Sequence, residues 1–94
     1  MIKVDITLAA KDDYLEILEQ TYRNSTDAVL KLDDKMNALI ANFRQFKHFC
    51  PPARRFPKFR RCVVTKNVAL VYEVGKNSIT IISVFDVRMG NPFS

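Results

Sequence analysis

Apolar and polar residues alternate over the first eight positions, with Ile2, Val4, Ile6 and Leu8 set against Lys3, Asp5 and Thr7. A period of two predicts a strand with one buried face. From Lys11 the spacing turns helical. Tyr14, Ile17, Leu18 and Thr21/Tyr22 form one stripe, and Asp12 and Asp13 fall in the predicted first turn, where carboxylates suit the helix dipole. Asn24-Ser25-Thr26 interrupts the pattern with residues that end one helix and cap the next. A second stripe follows at Val29, Leu32, Met36, Leu39/Ile40 and Phe43. Two apolar stripes across so short a break predict an antiparallel helical hairpin.

Cys50-Pro51-Pro52 stops helical structure, and the stretch to Phe59 reads as an ordered loop. Three strands are then predicted: 60–66, 68–74 after a tight Lys66-Asn67 reversal, and 78–87 after Gly75-Lys76-Asn77, whose Gly and Asn tolerate the positive φ of hairpin turns. In the last strand Ile79, Ile81, Ile82, Val84 and Phe85 supply apolar groups to both faces, the pattern of an interior strand. The order β-α-α-β-β-β predicts an α+β fold, with a helical hairpin packed on one face of a mainly antiparallel four-stranded sheet. The opposite face is left partly open, and Arg61, Thr65 and Arg88 are expected to line it.

Ninety-four residues, 48% of them hydrophobic and 27% charged, suit a single domain spanning 1–94. A two-lobed enzyme with a deep cofactor cleft does not fit in that length. The longest apolar run, Val68 to Tyr72, is far below the roughly 20 residues of a membrane span. No basic stretch followed by an apolar core opens the chain, so a soluble, cytoplasmic protein without a membrane partner is expected. Two cysteines and one histidine cannot build a standard zinc site, and no metal or other cofactor is expected. Cys62 reads as a small strand hydrophobe and Cys50 as a loop thiol, with no disulfide framework.

Charge adds what the pattern of strands and helices does not show. Residues 1–40 carry five Lys/Arg and eight Asp/Glu, a net −3; residues 41–94 carry ten Lys/Arg and two Asp/Glu, a net +8. Arg44, Lys47, Arg54, Arg55, Lys58, Arg60, Arg61 and Lys66 follow one another with no acid between them, interleaved with Phe43, Phe46, Phe49, Phe56 and Phe59. The phenylalanines are read as core anchors for a loop. The cations repel one another and gain nothing by folding together, so they mark a surface for an acidic partner. One of Arg60 and Arg61 is expected to be a solvent-facing edge charge that discourages sheet-to-sheet pairing.

The element order, Arg60-Arg61 opening a strand, the run Val68-Ala69-Leu70-Val71-Tyr72-Glu73-Val74 and the ending from Ile81 through Arg88 to Pro92 together resemble the RelE/ParE superfamily, the toxins of bacterial type II toxin–antitoxin modules. The resemblance implies a compact toxin neutralised by a cognate antitoxin. It also implies a choice of target: RelE-like members cut messenger RNA on the ribosome, and ParE-like members poison DNA gyrase without cutting anything themselves. Cleavage by 2′-hydroxyl attack needs a base, an acid and cations around the phosphorane. Lys58, Arg61 and Arg88 offer the cations, and Glu73 is the candidate base. Cleaving relatives usually place an Arg beside the Leu-Val-Tyr run and a His or Tyr near the C-terminus. Here those positions read Ala69 and Asn91-Pro92-Phe93-Ser94. His48 reads as a loop histidine and Tyr72 as a core residue with its hydroxyl at the layer edge.

The expectation is therefore a ParE-like inhibitor rather than an enzyme, with Arg54, Arg55, Lys58, Arg60, Arg61 and Arg88 meeting gyrase or the antitoxin. The alternatives are a RelE-like nuclease acting on ribosome-bound mRNA through Lys58, Arg61, Glu73 and Arg88, and a non-toxic basic module that binds nucleic acid with a steep salt dependence.

Overall fold

Thr7 divides the first strand from the first helix. Its hydroxyl accepts a hydrogen bond from the Ala10 amide at 3.1 Å, an N-cap that starts the helix at Leu8 instead of Lys11. Asp12 and Asp13 consequently lie beyond the first turn, which holds no acid. The structure, a computed structural model, describes residues 1–89. Its elements are β1 (Lys3–Ile6), α1 (Leu8–Asn24), α2 (Thr26–Phe43), β2 (Phe59–Val63), β3 (Val68–Val74) and β4 (Ser78–Asp86), followed by a 3₁₀ turn at Val87–Met89. Gly90 to Pro92, which carried part of the resemblance, and the rest of the Asn91-Pro92-Phe93-Ser94 ending that departs from the cleaving relatives lie outside the described residues.

Ser25 serves both helices: its backbone amide donates to Thr21 O, and its hydroxyl accepts from the Ala28 amide. One residue thus closes α1 and opens α2. The sheet order is β1-β4-β3-β2, with β1 parallel to β4 and the other two pairings antiparallel. The two interior strands, β3 and β4, are those with apolar residues on both faces. A register shift at Val71/Tyr72 lets Ile82 bulge, so Ile81 pairs with Tyr72 and Ser83 with Val71. At the β3–β4 turn Gly75 does not take the positive φ expected of it; a Cβ there would stand 2.7 Å from Ser78 Oγ and displace that side chain.

The helical stripes meet one face of this sheet. Leu32, Met36, Leu39 and Phe43 of α2 pack with Cys62, Leu70, Tyr72, Ile79, Ile81 and Val84, and Tyr14, Ile17 and Leu18 of α1 close the cluster. Tyr22, by contrast, points to solvent. Tyr72 is fully buried with its ring 4.5 Å from that of Phe43. Its hydroxyl donates to Lys47 O at 2.8 Å and accepts from the Cys50 amide at 3.2 Å, fastening the loop after α2 to the core. Burial raises its pKa above the usual phenol value, so it stays a neutral donor.

Two expectations fail at this loop. Cys50 and Cys62 are joined in a disulfide, with Cα atoms 5.5 Å apart, because the loop folds back along β2 and brings the two side chains to the same edge of the core. Sequence spacing alone carries no sign of that return. The phenylalanines are not all anchors either: Phe43 is buried, whereas Phe46, Phe49 and Phe56 are exposed.

Candidate functional site

Consecutive residues of β2 divide the arginines between two surroundings. Arg60 lies opposite Tyr72, and its guanidinium donates to Cys50 O at 2.6 Å, which makes it a fastening for the loop rather than a solvent-facing edge charge. Nor does Arg61 serve as that edge charge. The outer edge of β2 is occupied by the returning chain, where Ala53 N donates to Phe59 O and Arg61 N to Pro51 O.

Arg61 projects to the sheet face away from the helices, opposite Val71. Its guanidinium carbon lies 5.7 Å from the centroid of the Phe85 ring, within cation–π range. Arg61 belongs to β2 and Phe85 to β4, two strand spacings apart, or roughly 10 Å. The pair therefore reaches across β3, whose Ala69 and Val71 are fully buried on the same face. Ala69, which pairs with Phe85 on one side and Val63 on the other, leaves the space this clamp needs. Among the described residues, Arg61 Nε is buried with no hydrogen-bond partner. Val63, on the same face, is 65% exposed.

The remaining nominated residues do not join this clamp. Arg54 and Arg55 are exposed on the loop, and Lys58 Nζ sits 4.9 Å above the Phe59 ring. Glu73 is exposed on the outer face between Phe59 and Thr80. His48 is exposed. Thr65 is a turn residue whose hydroxyl accepts from the Asn67 amide, and it lines a different surface from Arg61. Arg88 folds back onto Asp86 in a bidentate pair at 3.0 and 2.6 Å, so it does not converge on Arg61. That pair holds the Asp86 carboxyl below the usual carboxylate range and raises the Arg88 guanidinium further.

Arg88 instead borders a groove of about 560 Å³ between the helical hairpin and the β2–β3 turn. Ile17, Leu32 and Val68 contribute apolar surface to it, and Lys31, Lys35 and Lys66 contribute cations. The sequence reading missed this surface. Its signal was present in Lys31 and Lys35, four residues apart and therefore on one helix face beside Leu32. Among the described residues, no group of three His, Cys, Asp or Glu side chains is placed to hold a metal ion, and no helix is long and apolar enough to cross a membrane.

A helical hairpin on one face of a β1-β4-β3-β2 sheet, with a basic strand and loop at its edge, is the architecture of the RelE/ParE superfamily. The family model for the ParE toxin of type II toxin–antitoxin systems, parDE, matches residues 4–90, and the chain belongs to that family. Solved structures with this fold include a chromosomal ParDE toxin–antitoxin system from P. aeruginosa, 16% identical over 93% of this chain and 97% of that one, with a TM-score of 0.68. A YoeB/ParE toxin from Agrobacterium tumefaciens is 22% identical over 90% of this chain and 98% of that one, at 0.64. The E. coli DinJ-YafQ complex matches at 14% identity over 96% of this chain and 98% of that one, at 0.59. No curated protein matches the chain.

Proposed function

We propose that this toxin arrests growth as a protein-binding inhibitor of the gyrase-poisoning kind, and that a cognate antitoxin neutralises it in the cytoplasm. The observation that carries this reading is the Arg61–Phe85 clamp. It presents a cation on an aromatic ring beside exposed Val63, with a buried Nε–H that has no acceptor among the described residues. An unmade hydrogen bond of this sort costs about 1–3 kcal/mol, which a carboxylate or carbonyl on a docking protein would recover. Exposed Phe46, Phe49 and Phe56 among the loop cations extend the same character, since aromatic residues and Arg are enriched where proteins meet.

The groove suits an acidic, amphipathic antitoxin segment that lays apolar side chains on Leu32 and Val68 and carboxylates against Lys31, Lys35 and Lys66.

The test runs two assays on one preparation. Purified protein with gyrase and supercoiled plasmid is expected to trap cleaved DNA, and Arg61→Ala is expected to abolish trapping. The same protein added to mRNA-programmed ribosomes is expected to leave the message intact, as it does free mRNA. Ribosome-dependent cuts would establish the RelE-like nuclease instead, and salt-steep binding to bare nucleic acid without either effect would establish the non-toxic module.

A further inference from the structure

The disulfide joins positions 50 and 62, and the ring it closes contains Arg54, Arg55, Lys58, Arg60 and Arg61, five of the six cations nominated for target or antitoxin contact. Both ends of this ring have independent fastenings. On one side Tyr72 bonds Lys47 O and the Cys50 amide, and Arg60 bonds Cys50 O. On the other, Pro51 and Ala53 pair with the edge of β2. Between Ala53 and Phe59 the backbone closes on itself through Ala53 N to Phe59 O and Phe59 N to Phe56 O. The core cluster on the helix side includes Cys50 and Cys62, whose side chains would remain there as small hydrophobes once reduced.

We propose that the Cys50–Cys62 pair is a redox latch on the basic loop. Oxidised, it holds the loop cations as one stiff surface; reduced, it leaves the fold in place and lets residues 53–59 open. The reductant is a dithiol. One of its thiolates attacks a sulfur of the pair, the S–S bond breaks, and the other cysteine leaves as a thiolate that takes up a proton. The second thiol of the reductant then displaces the remaining cysteine from the mixed disulfide. The protein gains two electrons and two protons, and the reductant becomes a disulfide. The importance of this for toxicity rests on the reading above, in which the loop meets its target inside the cell, where thiols are kept reduced and a disulfide persists only under oxidising conditions. Because the two sulfurs lie in nearly buried residues, attack waits on local opening of the loop, which Tyr72 and Arg60 restrain.

The test compares the full-length protein oxidised by glutathione disulfide with the same protein reduced by dithiothreitol, the thiol count being verified by alkylation and mass. Amide hydrogen exchange is followed at 53–61 and at 68–74. Reduction is expected to speed exchange at 53–59 by roughly ten- to a hundredfold, the scale set by closing a loop of this length, and to leave 68–74 protected. The Cys50→Ser, Cys62→Ser variant should reproduce the reduced pattern, and Tyr72→Phe should hasten reduction of the native pair. Equal exchange in both states, loss of protection throughout β3 on reduction, or cysteines that never pair under glutathione disulfide would each overturn the latch. If oxidised protein shows the latch but leaves gyrase unaffected, the target assignment fails and the latch stands.

Discussion

The two faces of the sheet are built from alternate residues of the same strands, yet they are closed in different ways. On the helix side Leu70, Tyr72, Ile79 and Ile81 are sealed by two amphipathic helices. The buried Tyr72 hydroxyl there both donates and accepts a hydrogen bond. On the other side Ala69 and Val71 are buried on a face that Arg61 crosses to reach Phe85, and among the described residues the Arg61 Nε–H has no partner. A face covered by helices is optimised for folding. On the proposed function, the face crossed by one long cationic side chain is the one that exchanges its cover for a partner.

Breaking the first face should affect stability most. Leu70→Ala, at a fully buried position, is expected to cost about 3 kcal/mol, read as a lowered midpoint in urea unfolding. On the second face, Ala69→Leu should force Arg61 off Phe85 at a cost of about 1–2 kcal/mol and abolish growth arrest. A variant that folds and remains toxic would show that the clamp is not needed. The sharpest contrast lies between neighbours. Arg60→Ala strips the Cys50 carbonyl of its donor and should cost about 1–2 kcal/mol. Arg61→Ala loses the contact with Phe85 but also removes an unpartnered buried donor, two opposing contributions, so it should change stability less than Arg60→Ala while toxicity is lost.

The smallest effect is one of pH. Because Arg88 depresses the Asp86 carboxyl, the stabilisation from that pair is complete above about pH 4, the ordinary carboxylate value, and fades as pH falls through the lowered native value. Melts from pH 2 to 6 should show this slope in the native protein and less of it in Asp86→Asn. Equal slopes would remove the pair from the acid response.

The fold was legible because its signals are local. The period of two before Thr7, the stripes at three- and four-residue spacing and the two-sided apolar pattern of 79–85 each follow from one element. Helix α1 begins three residues earlier than its stripe suggested because a hydroxyl cap, rather than an apolar side chain, starts it. The site was less legible because it is made by adjacency across strands. Nothing in the order Arg60-Arg61 shows that the first reaches a loop carbonyl and the second crosses β3 to Phe85, or that Cys50 returns to Cys62. The charge run picks out the segment that carries Arg61, but Arg88 is turned back onto Asp86 instead of converging with it.

Strand β1 pairs in parallel with β4, residues 3–6 against 78–81, so a strand made early waits for a partner made about seventy residues later. The hairpin of α1 and α2 and the ladder of β2 with β3 can form from segments close in sequence, but the sheet gains its parallel edge only after residues 78–81 have emerged. Synthesis itself thus delays the finished sheet, an interval in which an antitoxin already present meets a partner that is still incomplete.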